Sequence, residues 1–118
     1  MMSERSPHRV ERVTQLLKEE VGKLVFDAVE DHKDAFLTVT RIELSRDLAH
    51  ATVFVSALVK EKEAGALAEL KRTIGTIQYA LNRTLRMRPV PKITFAIDKA
   101  YTAETKVYEI LSRHDETS

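Results

Sequence analysis

The sequence predicts an α+β fold, with one three-stranded sheet and helices packed on one of its faces. Two long segments, Pro7 to Val29 and Glu61 to Arg86, repeat apolar residues at helical spacing. Three short runs are rich in β-branched residues and read as strands. A short polar link joins two of those runs, which makes them an antiparallel hairpin. One sheet covered by helices on one face buries every apolar stripe at once. At 118 residues the chain has the size of a single domain. Residues 1–6 and 113–118 are expected to be flexible ends.

Each element has its own local reason. Ser6 is a helix cap and Pro7 takes the first helical position, where a missing N–H is harmless. Val10, Val13, Leu17, Val21, Leu24 and Ala28 then form one apolar stripe. Glu30 to Asp34 is a polar connection. Phe36 to Ser45 is the first strand, and its alternation changes phase. Leu37 and Val39 point one way, Ile42 and Leu44 the other, so a bulge is expected near Thr40 or Arg41. Ser45 to Leu48 is the turn, and Ala49 to Val59 is the second strand, with Ala51, Val53, Val55, Ala57 and Val59 on one face.

The second helical segment has a core stripe of Leu67, Leu70, Ile74, Ile77, Leu81 and Leu85. Gly75 interrupts it, and a glycine at mid-helix marks a kink between two helices. Pro89 and Pro91 end the helix. Ile93, Phe95 and Ile97 alternate with small or polar residues as the third strand. This strand is expected to pair in parallel with the first, because a helical crossover joins it to the hairpin. Thr102 caps a short last helix carrying Val107, Ile110 and Leu111.

Composition narrows the function. The chain is 43% hydrophobic and 31% charged, which is ordinary globular usage. It has no cysteine, so disulfides, thiolate metal sites and thiol nucleophiles are excluded. No apolar run approaches the ~20 residues that cross a bilayer, and a cytoplasmic protein with no membrane partner is expected. The four histidines share no ligand spacing, and no cofactor or metal is expected. Glu19-Glu20 and Glu30-Asp31 read as solvated charge. Ser45-Arg46-Asp47 has no base beside it and reads as a turn. Without a glycine-rich phosphate loop or an acid–base pair, no catalytic constellation exists, and the chain is not read as an enzyme.

Charge is distributed unevenly. The formal net charge is +1, yet Leu70 to Ile97 holds Lys71, Arg72, Arg83, Arg86, Arg88 and Lys92 and no acid. A basic segment on an otherwise acidic chain points to a polyanion. Arg72, Thr76, Tyr79, Arg83 and Arg86 step by three and four, which aligns them on one helical stripe beside the buried one. Guanidinium groups suit phosphates because they donate two parallel hydrogen bonds. Tyr79 either stacks on an unpaired base or lies half-buried at the core edge. Arg9 and Arg12, with Arg5, form a second basic cluster on the first helix. Arg88, next to Pro89, could instead pair with an acid such as Asp98 and serve the fold.

These residues carry a family resemblance. Ser45-Arg46-Asp47-Leu48-Ala49-His50-Ala51-Thr52-Val53-Phe54-Val55 resembles the SRDL-x-x-A-x-V-x-V hairpin of bacterial ribosome-binding factor A. Leu85 to Asp98 is similar to that family's LR-x-R-x-x-P-x-L-x-F-x-x-D segment, and Arg9 to Val13 to its opening R-x-x-R-V. The resemblance implies a KH-like αββααβ fold of type II, which agrees with the element order above. In place of the usual GxxG loop it implies a kinked Ala-x-Gly between two helices, matched here by Thr73, Ile74 and Gly75. It also implies a function. The protein would be a monomeric assembly factor that binds the immature small ribosomal subunit and its rRNA. It would assist late maturation, including 5′-end processing, with importance in the cold, and other assembly factors would be its partners. A protein–protein adaptor without RNA contact is the alternative. The basic run from Lys71 to Lys92 favours RNA.

Overall fold

In the computed structural model, which describes residues 7–100, the chain begins with helix α1 (Pro7–Ala28). Leu17, Val21, Val25 and Val29 are its buried stripe, with Val13, Leu24 and Ala28 packed at its margins. A 3-10 turn over Glu30–Ala35 leads into strand β1 (Leu37–Leu44), and a tight turn leads into β2 (His50–Ala57). Helices α2 (Glu63–Arg72) and α3 (Ile74–Thr84) follow, and β3 (Lys92–Ile97) completes the sheet. Ser6 and the expected last helix at Thr102 to Leu111 lie outside the described residues.

The Ser45 turn is held by its own polar side chains. Ser45 Oγ donates to Asp47 Oδ1 at 2.7 Å, and Asp47 Oδ1 also accepts from the Ala49 N–H at 3.0 Å. Ser45 Oγ in turn accepts from the His50 N–H at 2.9 Å. These bonds, the Ser45 one foremost, hold the Asp47 carboxyl below its ordinary pKa. They let Leu48 take a positive φ of 61° while its side chain is buried.

β1 and β2 pair antiparallel from Leu37↔Ala57 to Leu44↔Ala51, with a register slip between Val39 and Arg41. The slip leaves Thr40 as the extra residue, the bulge that the change of phase requires. The third strand departs from expectation. It lies beside β2, parallel to it, from His50↔Lys92 to Val55↔Ile97, and the sheet order is β1-β2-β3. The crossover starts at the end of β2, so the chain returns in the direction of β2 and joins its free edge. Ala51, Val53, Val55 and Ala57 are all buried, as the central strand of a covered face must be.

The core joins α1, α3 and the inner sheet face through Ile77, Leu81, Leu85, Ile93 and Phe95. A smaller cluster of Ala35, Ala57 and Ala66 seats the 3-10 turn on α2. The approach is close at Gly65, where a Cβ would stand 3.1 Å from the His32 ring and the ring would have to give by a few tenths of an ångström. His32 Nδ1 lies 2.5 Å from Glu69 Oε1 on the next turn of α2. His32 is thus a half-buried bridge between the 3-10 turn and α2.

The break in the second helical segment falls at Thr73, two residues before Gly75. Thr73 has φ −102° and ψ 10°, and its Oγ1 donates back to the Glu69 carbonyl at 2.9 Å. A threonine bonded back in this way bends a helix. Ile74 and Gly75 are instead the first residues of α3. Gly75 has no positive φ, and a Cβ there would meet nothing within 4 Å. Gly75→Ala should therefore raise stability by about 0.5 kcal/mol, because alanine loses less backbone entropy at a helical position. Urea denaturation checks this. A loss of stability would mean that the break depends on the glycine.

Candidate nucleic-acid interface

The basic run spans three elements. Lys71 and Arg72 lie in the last turn of α2, Tyr79 and Arg83 on α3, Arg86 just beyond it, and Lys92 at the start of β3. All six are exposed. Burial of Ile77, Leu81 and Leu85 against the sheet turns the opposite side of α3 outward. Thr76, Tyr79 and Arg83 share that outer side. Arg72 belongs to the preceding helix, so the five-residue stripe is broken at Thr73 and does not run along one axis.

Tyr79 is 63% exposed, which removes the reading of a residue half-buried at the core edge. The Arg83 guanidinium carbon sits 5.7 Å from the Tyr79 ring centroid, and Nη1 lies 3.4 Å from the phenol oxygen. A cation beside an exposed aromatic face suits a nucleotide, with the ring for a base and the guanidinium for a phosphate.

The electrostatics favour an anion here. The ion pairs found among the described residues lie elsewhere: Lys23–Glu20, His32–Glu69, Arg41 with Glu43 and Asp98, Lys60–Glu63 and Lys62–Asp34. Lys71, Arg72, Arg83, Arg86 and Lys92 enter none of them. In the groove between α1 and α3 an acid does approach this face: Asp27, which lines the groove with Thr73 and Thr76.

Arg88 differs from its neighbours. Its guanidinium donates to the carbonyls of Leu85 at 2.8 Å, Met87 at 2.7 Å and Asn82 at 3.2 Å. It caps the open carbonyl end of α3, where a cation is favourable. Asp98 is not its partner. That carboxylate, 4% exposed, accepts from Thr40 Oγ1 at 2.6 Å and Arg41 Nε at 3.2 Å. Arg9 and Arg12 lie exposed in the first turns of α1. At 1.5 Å per residue they are roughly 27 Å and 23 Å along the helix from Asp27, on a separate element from the α2–α3 face.

One structural residue escaped the sequence reading. Gln78 Nε2 donates to the Pro91 carbonyl at 3.0 Å, and its Oε1 accepts from the Ile93 N–H at 2.9 Å. This clamp fixes the Pro89–Lys92 segment to α3 and so sets where Lys92 emerges. A polar residue next to the buried Ile77 was the available signal.

The model of one family, described as ribosome-binding factor A, matches residues 9–111. The chain belongs to the ribosome-binding factor A family. The Xanthomonas oryzae factor is 36% identical over 115 residues, covering 98% of this chain and 88% of that protein. The Stenotrophomonas maltophilia factor is 38% identical over 104 residues, 88% of this chain and 82% of that protein. The crystal structure of ribosome-binding factor A from Thermus thermophilus superposes with a TM-score of 0.63 at 30% identity, over 74% of this chain and 93% of that one. A homology model of the Thermus factor, fitted into a cryo-EM map of a 30S–RbfA complex, gives 0.61 at 31% identity over 73% and 91%. The fold is accordingly the α+β, KH-like fold of ribosome-binding factor A. Among the described residues no helix is long and apolar enough to cross a membrane.

Proposed function

We propose that this chain binds the immature small ribosomal subunit through its rRNA and assists late maturation, including processing of the 5′ end. The supporting observation is the set of cations Lys71, Arg72, Arg83, Arg86 and Lys92, which come from a run without acids, are exposed, and stand outside the ion pairs found among the described residues. Family membership, and the Thermus relative fitted into a 30S complex, favour the small subunit as the source of that RNA. Binding is the mechanism in this reading. Cations that fit one conformation of a maturing RNA better than another shift its equilibrium by that difference in affinity. No bond is made or broken by the protein. The same reading makes it a cytoplasmic monomer that works beside other assembly factors.

Sedimentation of tagged protein from a cell lysate on a sucrose gradient tests the proposal. The protein should travel with free small subunits and be absent from translating ribosomes. Recovery only in ribosome-free fractions at low salt would contradict it.

A further inference from the structure

The groove between α1 and α3 has a volume of about 250 Å³. That is several times the roughly 30 Å³ share of one water and below the ~300 to 1,000 Å³ of drug-sized sites, so it suits one small ring system. Leu24 of α1, with Ile77 and Ala80 of α3, supplies apolar walls. Three polar residues complete the lining: Asp27 on α1, Thr73 at the helix break and Thr76 on α3.

Asp27 is the unexpected member. It is exposed, and it enters no ion pair or hydrogen bond among the described residues. Lys23, one helical turn before it, pairs with Glu20 instead. The Thr76 hydroxyl also has no partner among the described residues. Thr73 Oγ1 donates to the Glu69 carbonyl and can still accept. The groove thus holds acceptors that the fold does not use.

The surroundings are cationic. Arg72 directly precedes Thr73, and Tyr79 and Arg83 share the outer side of α3 with Thr76. A carboxylate on a face that binds phosphates lowers affinity, because it repels what its neighbours attract. It is useful there only toward a hydrogen-bond donor. RNA carries donors on its bases and its 2′-hydroxyls. A hydroxyl gains nothing from apolar walls, whereas a base combines flat faces with a polar edge. Guanine has the edge that fits a carboxylate. Its N1–H and 2-amino group stand side by side and donate two parallel hydrogen bonds to two oxygens, as a guanidinium does. Adenine and cytosine set a ring acceptor beside the amino group, and that acceptor would face the carboxylate. Uracil offers one N–H between two carbonyls. Resting on the RNA-binding reading above, we infer that this groove takes one unpaired guanine of the RNA. Its ring lies against Leu24, Ile77 and Ala80, and its N1–H and amino group donate to Asp27. Asp27 is then a specificity-determining residue: it lowers overall affinity and adds a choice of base.

Selection from a random-sequence RNA pool on the full-length chain, with sequencing of the bound RNAs, tests this. The bound RNAs should share one unpaired G. Replacing that G by A, C or U should weaken binding at least about tenfold, the scale of a bidentate base contact. Inosine, which lacks only the 2-amino group, should weaken it several-fold. This substitution alters the RNA alone and does not depend on how any protein variant folds. Asp27→Ala should erase the preference for G, yet bind poly(U) about twofold more tightly than the parent at low salt, because one repelling charge is gone. Parent protein that binds RNA without preferring G would overturn the inference and leave the proposed function standing. A preference for G that survives Asp27→Ala would overturn it, as would inosine binding as well as guanine. Weaker poly(U) binding by Asp27→Ala would give Asp27 a structural role and overturn it too. Absence of any RNA binding would overturn both this inference and the proposed function.

Discussion

Replacing Arg72, Arg83 and Arg86 together by alanine should weaken rRNA binding about one hundredfold near physiological salt. Each is exposed and outside every ion pair found among the described residues, so none is already committed to a protein acid. A hydrogen bond to a charged group contributes about 1 to 3 kcal/mol, less at an exposed site, and three at the low end multiply to roughly that factor. The salt dependence carries the mechanism. Each phosphate contact releases condensed counterions, giving a slope of log affinity against log salt of about −0.7 per contact for single strands and −0.9 for duplexes. The triple variant should therefore titrate with a slope shallower by about 2 to 3. Exposed-face substitutions usually change stability by less than about 0.5 kcal/mol each, so the variant should remain folded. A salt titration of rRNA binding, with thermal unfolding as control, checks both halves. Unchanged slope and affinity in the folded variant would move the RNA surface elsewhere, with Arg9 and Arg12 the next residues to replace.

Asp98→Asn should cost about 2 kcal/mol of stability at neutral pH, the scale of hydrogen bonds to a charged group. Asp98 lies just past the end of β3. Its carboxylate accepts from Thr40 and Arg41 on β1 and from the Ala100 N–H at 3.1 Å, while its backbone N–H donates to the Val55 carbonyl of β2 at 2.8 Å. The Thr40 hydrogen bond is the chief cause that lowers its pKa below the ordinary carboxylate value. Burial opposes it, and the Ala100 N–H and the Arg41 guanidinium add to it. A lowered folded-state pKa means that the stabilisation is fully present above the unfolded carboxylate value, about 3.9, and is lost as pH falls through the folded value. Urea denaturation at pH 7 and again below pH 4 should show parent and variant converging in acid. A constant difference at both pH values would mean that Asp98 acts by shape and not by charge.

The sequence made much of the fold legible because period and local chemistry agreed. The phase change across Leu37, Val39, Ile42 and Leu44 located the Thr40 bulge, since a strand can switch faces only by inserting a residue. Strand neighbours were less legible. Periodicity says which face of Ile93–Ile97 is buried, but the partner of that strand depends on where the crossover begins. The helix break falls within the expected Thr73–Gly75 segment but not at its glycine, the common signal; here the Thr73 hydroxyl competes for its own helix's carbonyls. The same gap affected the site. The arginine stripe presumed a single axis, and the break sets Arg72 on a different helix from Arg83. Arg88 looked like one more cation, and only the three-dimensional path of the chain brings its guanidinium onto the carbonyls that end α3.

Site-directed photo-crosslinking shows directly whether the α2–α3 face meets rRNA. Thr76 is exposed on the outer side of α3 among the arginines, and Glu43 is exposed on β1. A photoreactive phenylalanine placed at either position, in protein bound to immature small subunits, reports what each surface touches. Adducts with small-subunit rRNA are expected from position 76 and none from position 43. Protein that binds the subunits but gives no rRNA adduct from position 76, or only adducts with ribosomal proteins there, would contradict rRNA binding by this face.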